Sequence, residues 1–276
     1  MKRVLTAVIL IPLVLAMVFL RPGWQWLFTL AVAVVAMLAT WEYMNLAALS
    51  GAKPPRVAVL VAILALFAGN YQWYQHTAAI LGLLCLLLFL YCTFFHPVEQ
   101  VMADATAAIF PLIYVGFSLV ALPVLREEAN GPSLVAFLLC TVWAGDSVAL
   151  YVGRAWGRHK LAPTLSPNKS WEGALGSVVG SLAATGILFG LAALLQAHDI
   201  AVLTYPEEAW YWLLLAVIVN VAAQAGDLAE SALKRSVGVK DSGNLLPGHG
   251  GVLDRIDALL VAAPALWYAQ VIHQLF

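Results

Sequence analysis

Charge is what this chain has least of. Only 11% of its 276 residues are charged and 63% are hydrophobic, whereas soluble domains carry about 25% charged residues. That shortage excludes an ordinary water-soluble globule. With a mean hydropathy of +0.89, it implies an integral membrane protein. Cysteine is scarce as well. Cys85, Cys92 and Cys140 lie in apolar runs, their number is odd, and no C-x-x-C spacing occurs. This argues against a disulfide framework or a thiolate metal site and leaves core packing as their role. The glycine pattern of a P-loop is missing. No Ser-His-Asp or Cys-His arrangement, long internal repeat, low-complexity tract or soluble domain is evident. The net charge of −1 gives no reason to expect a nucleic-acid partner.

What the chain has is long apolar runs. A spanning helix needs about 20 apolar residues. Nine runs qualify, at about 4–20, 25–47, 57–70, 77–95, 105–125, 133–152, 174–196, 209–226 and 252–274. The third is the shortest and weakest. The first begins after Lys2-Arg3 and resembles a signal peptide, but Arg21-Pro22 follows without a small-x-small cleavage site, so an uncleaved span is expected. The expected fold is therefore an all-α polytopic bundle of about nine transmembrane helices. Residues 1–130 form scaffold spans, and residues 131–276 carry the polar chemistry.

Topology follows from the basic residues. With a cytosolic N-terminus, Lys2, Arg3, Lys53, Arg56, Arg154, Arg158, Lys160, Lys169, Lys234, Arg235, Lys240 and Arg255 fall inside. Only Arg21 and Arg126 fall outside. Twelve against two satisfies the positive-inside rule, and the 197–208 loop holds acids without Lys or Arg. Trp24, Trp26, Tyr71, Trp73, Tyr74, Trp210, Tyr211 and Trp212 are expected in interfacial belts. Glu42 is expected as an interfacial anchor near the inner end of the second span. Pro111, Pro123 and Pro264 are tolerable within spans where neighbours satisfy freed carbonyls. Gly176-x-x-x-Gly180 offers a close-packing face, for use within the bundle or in a homodimer.

The polar residues gather in two inner loops. On a helix, Asp227, Glu230, Ser231 and Lys234 share one face. Asp227 follows directly on one span, and Asp254 and Asp257 open the next. Carboxylates from two neighbouring helices can hold Mg²⁺, which prefers one or two carboxylates plus phosphate oxygens. Lys234, Arg235 and Lys240 offer charge for phosphates, with Asp241 and Arg255 beside them. His249, Gly250 and Gly251 suggest a phosphate nest before a helix N-terminus. In the other loop, Asp146 has Gly153 and Gly157 at helical offsets, followed by Arg154, Arg158, His159 and Lys160. Ser166, Asn168, Lys169, Ser170 and Glu172 then present hydroxyl, amide, ammonium and carboxylate groups suited to a nucleotide. These parts describe phosphoryl or nucleotidyl transfer, which rests on positioning, divalent metal and cationic side chains.

The run Ser231–Asp257 reads S-x-L-K-R-x4-K-D-x-G-x2-L-P-x-H-G-G-V-x-D-R-I-D. In this pattern, and in the blocks around Asp146 and Ser166–Gly173, the chain resembles the phosphatidate cytidylyltransferases, also called CDP-diacylglycerol synthases. The resemblance covers roughly the C-terminal half by motif. It implies that CTP and phosphatidic acid give CDP-diacylglycerol and pyrophosphate at a membrane, in the manner of a bacterial inner-membrane enzyme facing the cytosol. It implies metal binding at Asp227 and Asp254, by Mg²⁺ with a monovalent cation such as K⁺ as a candidate helper. Asp257 joins them on spacing alone. Lys234, Arg235, Lys240 and His249 would stabilise phosphates. Two alternatives remain at this point. A CTP-dependent lipid-alcohol kinase uses the same physics, and an anion transporter also needs many spans, although transporters commonly show repeated halves.

Overall fold

In the computed structural model, residues 12–20, 23–245 and 250–275 are described. Helices dominate. Among the described residues, seven are long and apolar enough to cross a membrane. The chain is an all-α membrane protein, with one small β-hairpin among the described residues.

After a helical stretch at 12–18, the elements are α1 (Gln25–Leu49), α2 (Arg56–Gln72), α3 (Thr77–Phe95), α4 (Val101–Pro111), α5 (Ser118–Glu127) and α6 (Gly131–Trp156). Then come β1 (Lys160–Ala162), β2 (Ser166–Ser170), α7 (Trp171–Gln196), α8 (Ala209–Ser236) and α9 (Leu253–Gln274). Eight expected spans thus correspond to helices, and the first lies largely outside the described residues. At 17 residues α2 is short for a span, as its sequence foretold. α4 and α5 form one span joined by a π-helical segment, Leu112–Phe117. Pro111 lies directly before it.

Two compact units emerge. The first combines Leu20–Pro123 with Leu233–Ile256, and the second combines Val14–Phe19, Val124–Ala232 and Asp257–Phe276. In the first, Ile63, Leu66, Leu112 and Val115 are fully buried. A Cβ on Gly116 would lie 2.8 Å from the Ile63 Cδ1, so a larger residue there would require the Ile63 side chain to shift. α3 buries little beyond Thr77, Leu88 and Cys92. Its outer face carries Leu83, Leu86, Leu87, Phe94 and Phe95, a surface that suits lipid rather than water.

In the second unit, α6 and α7 pack tightly. A Cβ on Gly176 would meet Val152, and one on Gly180 would lie 2.9 Å from the Ala144 carbonyl oxygen. The small-residue pair is thus used inside the unit. Beneath it runs a buried polar network. Asn220 donates to Ser177 (2.8 Å) and Ser181 (2.7 Å), Ser181 donates to the Thr141 carbonyl (2.8 Å), and Gln224 donates to Asn220 Oδ1 (2.6 Å). Such bonds tie three helices together where no water competes.

Three expectations need correction. α8 continues to Ser236 instead of ending at Asp227, because Leu228, Ala229, Glu230, Ala232 and Leu233 favour helix. The 153–173 loop contains an antiparallel hairpin, pairing Lys160 with Ser170 and Ala162 with Ser166. Tyr211 and Trp212 are buried rather than interfacial, with Trp212 packed edge-on to Phe137 and Tyr205. Trp24, Trp26, Tyr71, Trp73, Tyr74 and Trp210 are exposed, as a belt requires.

Candidate active site

In the first unit, the polar stretch is shaped by how α8 stops. Gly238 has φ +75°. Its N–H donates to the Arg235 carbonyl (3.1 Å) and that of Val239 to the Lys234 carbonyl (3.0 Å). This is a Schellman termination, which needs a left-handed residue that glycine supplies without strain. Lys234 and Arg235 occupy the last turn, where cations complement the helix dipole. The chain then returns to open α9 with Asp254 in its first turn.

Asp254 organises that return. Its carboxylate accepts from Lys234 Nζ (2.7 Å), the Ser242 N–H (3.0 Å) and the Gly251 N–H (2.8 Å). Both side chains of the ion pair are largely buried. Gly250 has φ +80°, and a Cβ there would sit 2.8 Å from Asp254 Oδ2. The Gly251 N–H, read from sequence as part of a phosphate nest, is thus engaged by Asp254. His249 lies outside the described residues.

Glu42 corrects the sequence reading most. It is 1% exposed and is no interfacial anchor. Oε1 accepts from the Val252 N–H (3.0 Å). Oε2 accepts from the Leu253 N–H (2.8 Å) and the Ser242 hydroxyl (3.1 Å). The start of a helix leaves N–H groups without intrahelical partners, and a carboxylate from α1 satisfies two of them. No spacing rule joins residue 42 to residue 252. The signal was a glutamate inside an apolar run, which is costly unless it is bonded.

The second unit holds the other cluster. Lys169, on β2, places Nζ 2.7 Å from Asp227 Oδ2 on α8. Asp146, exposed on α6, lies within electrostatic reach of both Asp227 and Lys169. The hairpin that carries Lys169 is pinned at its base. Glu172 accepts from the Arg158 N–H (3.2 Å), the His159 N–H (3.2 Å) and the His159 ring (2.6 Å). Ser170 caps α7 by accepting from the Gly173 N–H (3.1 Å). It is packed against Gly153 and Gly157, so these glycines serve close packing at the hairpin base.

The remaining candidates divide by exposure. Asn168, Arg235, Lys240, Asp241 and Arg255 are exposed, whereas Ser166, Ser231 and Asp257 are half-buried. Arg235 donates to the Val239 carbonyl (3.0 Å), which braces the turn. Asp257 accepts from the Ala258 N–H (2.8 Å) within α9.

Among the described residues, no group of three or more His, Cys, Asp or Glu gathers to hold an ion. Mg²⁺ needs no such cage, since one or two carboxylates plus phosphate oxygens suffice. The donor chemistry fits it. Asp227 and Asp254 are hard oxygen donors, and each already has an ammonium at 2.7 Å, so each position accommodates positive charge.

Comparison with known proteins gives these observations a family. A family model described as "Cytidylyltransferase family" matches residues 1–273. The chain belongs to that family. A Haemophilus influenzae protein named phosphatidate cytidylyltransferase is 34% identical over 292 residues, covering 97% of each chain. A protein of the same name from Mycobacterium leprae is 33% identical, over 83% of this chain and 65% of its own. One from Brucella abortus (strain 9-941) is 45% identical over 157 residues, 56% of this chain. The matched region spans about half, 54%, of that Brucella protein's length.

Proposed function

We propose that this membrane protein transfers the cytidylyl group of CTP to phosphatidic acid, releasing pyrophosphate and forming CDP-diacylglycerol for phospholipid synthesis. An oxygen of the lipid phosphate attacks the α-phosphorus of CTP, and the bond to the pyrophosphate leaving group breaks. The attacking phosphate is already an anion at neutral pH, so no general base is required. The obstacle is repulsion between anions, which cationic side chains and preorganised donors offset.

The observation that carries this reading is the unbroken Ser231–Asp257 pattern in a member of this family. Two lysine–aspartate pairs support it, one in each unit. Lys234, Arg235, Lys240 and Arg255 would stabilise charge on the reacting phosphates, with His249 and Asp241 beside them. Asn168 and Lys169 would bind nucleotide, together with Asp146 and Ser166. Ser170 and Glu172 would hold the hairpin that presents them. Ser231, Gly250 and Gly251 would frame the phosphate side.

We infer that Mg²⁺ is held by Asp227 and Asp254, with Asp257 as a further carboxylate and a monovalent cation such as K⁺ as helper. Bound there, the metal would neutralise phosphate charge and orient the reacting groups. The distribution of lysine and arginine supports nine spans, a cytosolic N-terminus and a polar site facing the cytosol, and the bacterial relatives support a bacterial inner membrane. Purified protein given radiolabelled CTP, phosphatidic acid and Mg²⁺ is expected to form CDP-diacylglycerol and pyrophosphate. CDP with a phosphorylated lipid would instead identify a kinase. No product from well-folded protein would overturn the reading.

A further inference from the structure

We propose that Glu42 is a positioning residue for the Lys234–Asp254 centre. This rests on the cytidylyl-transfer reading of that centre. Glu42 reaches partners 200 to 211 positions away in sequence. It stands on α1, outside the stretch that carries the motif.

The geometry is interleaved. Ser242 donates its hydroxyl to Glu42 and its backbone N–H to Asp254. Gly251 donates to Asp254, while its neighbours Val252 and Leu253 donate to Glu42. Two carboxylates thus share the donors of Ser242 and of the backbone at 251–253. Gly243 and Gly251 press against the Glu42 side chain. A Cβ on Gly243 would lie 2.6 Å from Oε1, and one on Gly251 would collide with Oε2.

The consequence is mechanical. Asp254 takes two of its backbone donors from residues whose positions Glu42 also sets. Without Glu42, the Ser242 hydroxyl and the Val252 and Leu253 N–H groups lose a buried acceptor. The backbone there must then open to find water, and Asp254 with Lys234 loses its aim. Ligands whose supporting partners are removed typically lose about 10–100-fold in metal affinity or activity. Glu42 does not touch substrate in this proposal; it acts through Asp254.

The test compares Glu42→Gln with the unmutated protein. Gln keeps the volume and one acceptor oxygen. The expected result is a fall of about tenfold or more in kcat and a similar rise in the Mg²⁺ needed for half-maximal rate. KM for phosphatidic acid should stay within about twofold. Residue-resolved hydrogen exchange on metal-free protein should show faster exchange at Val252 and Leu253. A merely structural glutamate would lower the folded yield and leave the Mg²⁺ requirement unchanged. If Glu42→Gln does not fold, Ser242→Ala removes one donor and should raise the Mg²⁺ requirement by a smaller factor. A Mg²⁺ requirement like the unmutated protein's in the folded variant, or unchanged exchange at Val252 and Leu253, would overturn the proposal. If the unmutated protein makes no CDP-lipid, the cytidylyl-transfer reading fails, and exchange still decides whether Glu42 holds Val252 and Leu253.

Discussion

The two polar clusters are built in opposite ways. Asp254 is clamped by a buried lysine and two backbone N–H groups, and its loop is held again by Glu42. Asp227 meets one lysine across an ion pair whose side chains are 24% and 37% exposed. Backbone donors cannot swing away, whereas a lysine on a hairpin can exchange its carboxylate for a phosphate. The contrast suggests a division of labour. On the proposed function, the first cluster would supply a preset pole and the second would adapt to its ligand.

Replacing each aspartate should break or sharpen this contrast. Asp254→Asn and Asp227→Asn should both cut turnover by about a hundredfold or more, measured as labelled CDP-diacylglycerol. They should differ in stability. Asp254→Asn removes the negative charge from a buried ion pair with Lys234 and should cost about 3–5 kcal/mol, read as a lower melting midpoint in detergent. Asp227→Asn breaks a partly exposed pair and should cost less than about 1 kcal/mol. Equal stability losses would erase the distinction.

The smaller effects probe the second unit. Gly180→Leu forces a side chain into the Ala144 carbonyl and Val148. It should destabilise the second unit by about 1–3 kcal/mol or more, seen as lost monodispersity and a lower midpoint. Lys169→Met should raise KM for CTP about tenfold while leaving the midpoint near that of the unmutated protein. Asn220→Leu removes the donor to Ser177 and Ser181 and should cost about 0.6–2 kcal/mol, with little change in KM. A large KM effect from Asn220→Leu would tie the buried network to substrate binding.

Much of the fold was legible because its physics is local. Twenty apolar residues in a row announce a span, and the eight spans among the described residues differ from their expected bounds mainly at the ends. The hairpin was not legible, since Ser166–Ser170 carries a proline and no alternating apolar pattern. The overrun of α8 had a signal in Gly238, a left-handed stop placed after Lys234 and Arg235. On the candidate site, the motif singled out Ser231–Asp257. It said nothing of which donors each carboxylate would use. Glu42 is the clearest case, because its partners become neighbours only when α1 meets Ser242, Val252 and Leu253.

The most direct test of the central claim uses Mn²⁺ in place of Mg²⁺, with CTP bound, and locates the ion by anomalous scattering in a crystal. The account predicts metal contacted by carboxylate oxygens of Asp227 and Asp254 and by CTP phosphate oxygens. Manganese bound away from both aspartates, or full CDP-diacylglycerol synthesis in the presence of a divalent-cation chelator, would contradict it.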